Sequence, residues 1–341
     1  MAGEGFSWPA ILTRLLAGEA LTETETGAAM TEIMEGAATP AQIAAFVVAL
    51  RAKGETTDEV VGLVKTMRAF AAPLNVPGDV LDTCGTGGDR AGTFNVSTAA
   101  ALVCAGAGVK VAKHGNRAAS SRSGSADVLE ALGVKIDLPP DGVERCIATA
   151  GIGFCFAPVF HPAMRHAGVT RRELGVPTIF NFLGPLTNPA GARLQALGVS
   201  DPRMLDKMVE TLGRLGSTHV IAFHGHEGLD ELALSGPSRV LEFVDGGTRG
   251  WTIDPAALGL APSGREEIAG GSAEENAVLV RAVLDGESGP RRDIVVLNAA
   301  AGLMAAAVAP DMEGAMRVAG NAIDSGAAGA TLDRLIAASN G

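Results

Sequence analysis

Tyrosine is absent from the 341 residues, and all aromatics together make up only 4% of them. A core built on stacked rings is therefore excluded. With 47% hydrophobic residues, burial must come mainly from Ala, Val, Leu and Ile. Cysteine is scarce as well. Cys84, Cys104, Cys146 and Cys155 show no C-x-x-C spacing, which argues against a disulfide framework and for a reducing cytoplasm. No stretch clusters Lys and Arg, and the formal net charge is −11, so a nucleic-acid or anionic-membrane surface is not expected. The longest apolar run, 294–309, contains Asn298 and falls short of the ~20 residues of a membrane span. Residues 1–8 carry Glu4 and no basic segment, so no signal peptide is expected. The expectation is a soluble, cytoplasmic protein.

What is present is a change of pattern near residue 74. Before it, Thr22-x-x-Glu25, Thr39-Pro40-x-Gln42 and Thr56-x-x-Glu59 are three helix starts in a row. Each sets a hydroxyl three residues before a side chain that can reach back to the cap. Pro73 and Pro77 mark a linker. From Gly78 strands alternate with helices: strands are predicted at 80–81, 109–112, 134–136, 153–156, 194–199 and 219–223, and helices at 126–132, 142–150 and 202–215. Residues 238–254 predict short antiparallel strands, and Ser272-x-x-Glu275 caps one of the Ala-rich helices that fill the rest. The fold class expected is α/β: a mainly parallel central sheet flanked by helices, with a small all-helical N-terminal domain. The proline- and arginine-rich stretch 158–191 reads as a crossing to the helical part and back. This gives a helical domain 1–73 joined by about 168–184, and an α/β domain 74–167 and 185–341. A cleft between the two is where a ligand is expected.

Four stretches carry chemistry. In the first, the strand end Val80-Leu81-Asp82 runs into Gly85, Gly87 and Gly88, and Asn95-Val96-Ser97-Thr98 then opens an Ala-rich helix. Strand, glycine loop and helix start present several backbone N–H groups to an anion. No Lys-Ser/Thr ends the loop and no third glycine completes a dinucleotide fingerprint, so neither common phosphate motif is present. The second stretch, Lys113-His-Gly-Asn-Arg117 through Ser125, follows the predicted strand 109–112. Lys113 and Arg117 give positive charge, several hydroxyls add donors, and no carboxylate intervenes, which suits a phosphate or pyrophosphate clamp. The third, Asp230-Glu231, follows the strand 219–223; adjacent carboxylates at a strand end can hold Mg²⁺, which prefers oxygen ligands. A zinc site at His219, His224 and His226 lacks any recognised spacing. The fourth is basic: Arg171 or Arg172 could grip a carboxylate through a bidentate guanidinium. Together they suggest a pyrophosphate-bearing substrate, a magnesium site and a pocket for a small carboxylate.

These stretches resemble a known family. Asp82-Thr-Cys-Gly-Thr-Gly-Gly-Asp89, Asn95-Val-Ser-Thr98, Lys113-His-Gly-Asn-Arg117, the block 123–133, Arg172-Glu-Leu-Gly175, Asn181-Phe-Leu-Gly-Pro-Leu-Thr-Asn-Pro189 and Gly228-Leu-Asp-Glu231 look like anthranilate phosphoribosyltransferase. They occur in that family's order over about residues 10–335. The resemblance implies a nucleoside phosphorylase/phosphoribosyltransferase fold and a homodimer through the helical part. It implies transfer of phosphoribose from 5-phospho-α-D-ribose 1-diphosphate to the amine of anthranilate, in tryptophan biosynthesis. Carried over, Gly85, Gly88, Asp89, Thr93, Asn95, Val96, Ser97, Thr98, Lys113, His114, Gly115, Asn116, Arg117, Ala118, Ala119, Ser120, Ser121 and Ser125 would hold the phosphoribosyl diphosphate. Ser97, Asp230 and Glu231 would bind Mg²⁺. Gly85, Asn116 and Arg171 would contact anthranilate, with His114, Pro158, His161 and Met164 along its channel. Glu227 and Pro177 depart from the family pattern, and neither touches a proposed ligand. A related nucleoside phosphorylase and a non-catalytic nucleotide-binding homologue share the fold. The glycine loop with the Asp-Glu pair argues against the first, and the filled catalytic positions argue against the second.

Overall fold

The computed structural model describes residues 6–118 and 122–341. The N-terminal part is helical, as the capping signals require. After α1 (Trp8–Leu16), Thr22, Thr39 and Thr56 each close a reciprocal capping box with Glu25, Gln42 and Glu59. These boxes open α2 (Glu23–Met34), α3 (Pro40–Lys53) and α4 (Thr57–Ala69), and satisfy N–H groups that each helix start leaves orphaned. Ile33, Phe46, Leu50 and Leu63 are buried between them.

The rest of the chain is built on one seven-stranded sheet in the order β3-β2-β1-β4-β5-β6-β7. β1 (Leu81–Gly85), β2 (Val111–Gly115), β3 (Ile152–Phe156), β4 (Leu194–Gly198) and β5 (His219–His224) are parallel. β6 (Ser238–Val244) and β7 (Gly247–Ile253) form an antiparallel edge. The strand order reverses between β1 and β4, the place where parallel sheets open a crevice beyond the strand ends. The predicted strand 134–136 is not one. β2 takes β3 directly as its neighbour, which leaves no ladder for 134–136. Val134 and Ile136 are buried alternately, and Lys135 N–H donates to Ser339 Oγ at 3.1 Å.

Helices cover both faces: α5 (Val96–Gly106), α6 (Ser125–Ala131), α7 (Pro140–Ala150), the short α8 (Ala157–Phe160), α9 (Arg165–Leu174), α10 (Phe180–Leu183), α11 (Pro202–Arg214), α12 (Ala273–Leu284), α13 (Pro290–Ala305), α14 (Met312–Asp324) and α15 (Ala327–Asn340). α5 packs on α13 through small side chains, with Ala99–Ala101 and Ala299–Ala301 all buried. Alanine surfaces let the helices approach closely, which is how a core poor in aromatics reaches full packing. Within the stretch 158–191, α9 packs on α2 and α3, and α10 on α4. The four cysteines are buried and free. Among the described residues no helix is long and apolar enough to cross a membrane.

α11 ties the helical part to the sheet, packing on α4 as well as on β5 and β6. Asp201 caps it, accepting from Arg203 N at 3.0 Å, Arg203 Nε at 2.9 Å and Arg203 Nη2 at 2.8 Å, and from Arg51 of α3. The Arg203 hydrogen bond first, and that of Arg51 after it, hold the Asp201 carboxyl well below the usual carboxylate range. A carboxylate held low supports folding above its unfolded value of about 3.9 and loses that support as pH falls toward its folded value. Asp201→Asn keeps a cap acceptor but not the charge. It is expected to cost about 1 kcal/mol or less at pH 7, with the gap to the parent closing when thermal unfolding is repeated below about pH 4.

Candidate active site

Three strand-end connections, β1–α5, β2–α6 and β5–β6, meet over the β1/β4 reversal. β1 ends at Gly85, paired in register with Gly198 at the end of β4. This glycine pair makes room for the segment after β5. A Cβ on Gly85 would stand 2.2 Å from Asp230 Oδ2, and one on Gly198 would stand 1.6 Å from the Asp230 carbonyl oxygen. The chain then turns through Gly87 and Gly88, both at positive φ (69° and 80°), into the α5 N-terminus. Gly87 N–H donates to Asp230 Oδ2 at 2.6 Å, and Ser97 N–H to Glu231 Oε1 at 3.1 Å, so both carboxylates sit against the glycine loop and the helix start.

Lys113, from β2, is buried beneath them; its ammonium donates to Thr83 O at 2.6 Å and Ser97 Oγ at 3.4 Å. Burial pulls Lys113 down and pushes the neighbouring buried Asp82 up, and the charge of each opposes that shift in the other. Asp82 Oδ1 also accepts the His114 N–H at 3.2 Å, which pins the end of β2. Burial first, and then a neighbouring carboxylate (Asp89 for Asp230, Asp230 for Glu231), holds both Asp230 and Glu231 above the usual carboxylate range. Oδ2 of Asp89 is buried without a protein partner. Several carboxylates facing one buried ammonium form an all-oxygen site short of positive charge, which fits a hard divalent cation. Among the described residues no group of three or more His, Cys, Asp or Glu side chains is arranged as a metal cage. Mg²⁺ held by one or two carboxylates together with substrate phosphates needs none.

The cleft above these groups has a volume of about 510 Å³. It brings together Gly85, Gly88, Asp89, Thr93, Asn95, Val96, Ser97 and Thr98 with Lys113, His114, Gly115, Asn116, Arg117, Ala118, Ser125, Asp230 and Glu231. Ala119, Ser120 and Ser121 lie outside the described residues. Arg117 reaches the cleft edge, but its guanidinium is engaged by Asp127 (2.9 Å) and Glu130 (2.8 Å). Cys84 also lines the cleft; burial first, and then Asp82, raises its thiol well above the ordinary range, so it is no nucleophile.

The residues at 158–171 are not in that lining. They border it through His114, whose ring centroid lies 5.1 Å from that of His161. Burial, and then His161, lowers His114 to about 3, and burial lowers His161 to about 4. Both imidazoles are therefore neutral at pH 7, and each keeps a buried Nε2 without a protein partner. Met164 is partly exposed and Pro158 exposed. Arg171 is half-buried, with its guanidinium 5.4 Å from the Phe180 ring centre, whereas Arg172 is exposed. The three histidines considered for zinc are spoken for separately: His219 by Glu242 (2.9 Å), His224 by Val199 O (2.7 Å) and His226 by Ser235 Oγ (3.2 Å).

Both parts of the chain match a described family. The glycosyl transferase family, helical bundle domain, matches residues 9–71, and the glycosyl transferase family, a/b domain, matches 77–329. The anthranilate phosphoribosyltransferase of Roseiflexus castenholzii is 54% identical over 331 residues, covering 96% of this chain and 97% of that protein. The crystal structure of anthranilate phosphoribosyltransferase from Thermus thermophilus superposes with a TM-score of 0.91 at 46% identity, covering 97% of this chain and 99% of that one. This chain belongs to the anthranilate phosphoribosyltransferase family. The Saccharomyces cerevisiae anthranilate phosphoribosyltransferase in complex with PRPP and Mg has the same fold, with a TM-score of 0.90 at 27% identity and 98% of both chains covered.

Within this anthranilate phosphoribosyltransferase fold, three features escape a reading of motifs. Gly198 has no motif around it; its one signal is a glycine ending a buried strand. Asn181 and Arg122 line the cleft, and Asn181 stands inside a recognisable block without a role attached. The segment 268–276 braces the glycine loop from outside: Phe94 N–H donates to Ile268 O at 3.1 Å and Gly270 N–H to Gly92 O at 2.9 Å. Nothing in its composition announces that contact.

Proposed function

We propose that this chain transfers phosphoribose from 5-phospho-α-D-ribose 1-diphosphate to the amine of anthranilate, giving N-(5-phosphoribosyl)anthranilate and pyrophosphate, a step of tryptophan biosynthesis. Membership of the family supports this reading. The observation that carries it is the meeting of the glycine loop, the β2 end and the Asp230–Glu231 pair in one cleft. In the reaction the bond from ribose C1 to the diphosphate oxygen breaks, the C1–N bond forms, and the amine proton leaves to solvent.

The exposed glycines at 87–88 let a diphosphate approach the backbone closely, and Lys113 beneath adds positive charge where leaving-group charge grows. Ser97, Asp230 and Glu231 would hold Mg²⁺. When bound, that ion neutralises charge developing on the departing pyrophosphate. The neutral His114 and His161 line the approach of the aromatic amine without adding charge. Arg171, held by Phe180, faces the anthranilate carboxylate. On this reading Arg171→Ala raises KM for anthranilate by about 10–100-fold, the size of a lost charge-assisted pair, and leaves KM for phosphoribosyl diphosphate unchanged. Arg172→Ala stays near the parent on both, and steady-state kinetics with each substrate varied reads the difference.

The same reading divides the chain into a helical domain 1–73 joined by about 168–184 and an α/β domain 74–167 with 185–341; the packing of α9 on α2 and α3 supports it. It includes a cytoplasmic homodimer through the helical part, where Leu16 and Val48 stand exposed at 81% and 43%. The activity is tested by following anthranilate fluorescence. Consumption is expected only with both phosphoribosyl diphosphate and Mg²⁺ present. Unchanged fluorescence, with phosphate-dependent release of a base from a nucleoside instead, would overturn the reading.

A further inference from the structure

The amide of Asn95, at the α5 start, lines the cleft with an orientation that its neighbours can fix. Asn276, near the start of α12, is 2% exposed. Its Oδ1 accepts the Gly271 backbone N–H at 2.7 Å, and its Nδ2 donates to Asn95 Oδ1 at 2.9 Å. Asn95 Nδ2 in turn donates to the Ser123 backbone carbonyl at 3.3 Å. The relay is thus anchored by a backbone group at each end. Gly271 N–H can only donate, so Asn276 must turn its oxygen toward it and its NH₂ toward Asn95. That NH₂ can only donate, so Asn95 must answer with oxygen. The Ser123 carbonyl can only accept, which demands the same orientation from the far side. Ser123 Oγ adds a second donor to Asn95 Oδ1 at 3.4 Å. With its oxygen committed twice, Asn95 can offer an anion only its NH₂ end.

The segment carrying this relay is seated for it. Beyond the two backbone hydrogen bonds it shares with residues 92–94, a Cβ on Gly270 would stand 2.7 Å from Phe94 Cα, so the two chains touch backbone to backbone. Asn276 therefore cannot drift from Asn95 unless the loop moves with it.

We infer that Asn276 is a positioning residue for the diphosphate substrate: it locks the Asn95 amide with its N–H face toward the anion and its carbonyl away. The inference rests on the proposed binding of phosphoribosyl diphosphate in this cleft. It assigns a role to a buried side chain that touches no substrate.

Asn276→Asp is the sharpest test. One aspartate oxygen still accepts from Gly271 N–H, but the other now faces Asn95 as an acceptor. The Asn95 amide is then frustrated: unflipped it opposes its oxygen to the new carboxylate, and flipped it opposes it to the Ser123 carbonyl and turns it toward the diphosphate, so its N–H face is no longer held on the anion. KM for phosphoribosyl diphosphate is expected to rise about tenfold or more, while KM for anthranilate stays at the parent value. Asn276→Ala guards against misfolding caused by a buried charge; it frees Asn95 to rotate and is expected to raise the same KM less. Each variant is repeated on an Asn95→Ala background, where the relay has no final member. There neither substitution at 276 should raise KM further, whereas a role confined to general packing would give additive losses. An unchanged KM in folded Asn276→Ala, or full additivity with Asn95→Ala, would overturn the inference. Isothermal titration of the parent with phosphoribosyl diphosphate and Mg²⁺ separates the two levels: no binding by the parent fails the functional reading itself, and parent binding with unaffected variants fails only this role of Asn276.

Discussion

The paired substitution Asp230→Asn with Glu231→Gln is expected to lower kcat by about 10²–10³-fold, the loss typical of removing a preorganised electrostatic group from a reaction centre. Both replacements are isosteric, and both can still accept from Gly87 N–H and Ser97 N–H, so the loop keeps its shape. What disappears is the negative charge that would hold Mg²⁺. Stability should move the other way. The two carboxylates are buried beside each other and beside Asp89, and Lys113 compensates Glu231 only in part. Removing that repulsion should leave Tm unchanged or raised, as is common where a functional site stores unfavourable charge. A folded variant with near-parent turnover at limiting Mg²⁺ would contradict the metal assignment.

Gly198→Ala is expected to cost as much without touching any charged group. Its Cβ would fall 1.6 Å from the carbonyl oxygen and 2.4 Å from the carbonyl carbon of Asp230. These are backbone atoms and cannot rotate aside. The strand end or the 230–231 segment must shift by an ångström or more, and a misplacement of that size is worth about 10²-fold in rate. Overpacking should also cost about 1–3 kcal/mol in stability. Gly320→Ala serves as the control: it lies within α14, where the nearest atom to an added Cβ is Arg292 Nη2 at 3.8 Å. Stability should rise there by about 0.5–1 kcal/mol with kcat unchanged. If Gly198→Ala keeps full turnover, the close approach of β4 to Asp230 has no part in the site.

The contrast between these two experiments marks what sequence could and could not reveal. Capping boxes at Thr22, Thr39, Thr56 and Ser272 are local, four-residue devices, and each opens a helix where its spacing says it should. The alternation after Gly78 reveals the parallel sheet, because buried strands and amphipathic helices have different periods. The glycine loop, the Lys113 stretch and the Asp230–Glu231 pair are visible because each follows a strand, and strand ends share one rim. Contacts between rims are another matter. Gly198 and Asn276 matter through atoms 32 and more than 180 residues away in the chain, and no local spacing encodes such a meeting. The predicted strand at 134–136 failed for a related reason: its alternation is real burial, but burial against a helix rather than a ladder. Arg117 shows a third limit. A basic residue in an anion-binding stretch reads as an anion ligand, yet carboxylates ten and thirteen residues further on engage it.

The central claim is that three separated strand-end segments grip one doubly phosphorylated sugar. A crystal structure of the chain soaked with 5-phospho-α-D-ribose 1-diphosphate and Mg²⁺ tests it most directly. The expected result is a single ligand touching residues from 85–98, 113–125 and 230–231 at once, with the metal between its diphosphate and the carboxylates. A ligand bound to one of these segments alone, or seated away from the β1/β4 crevice, would contradict it.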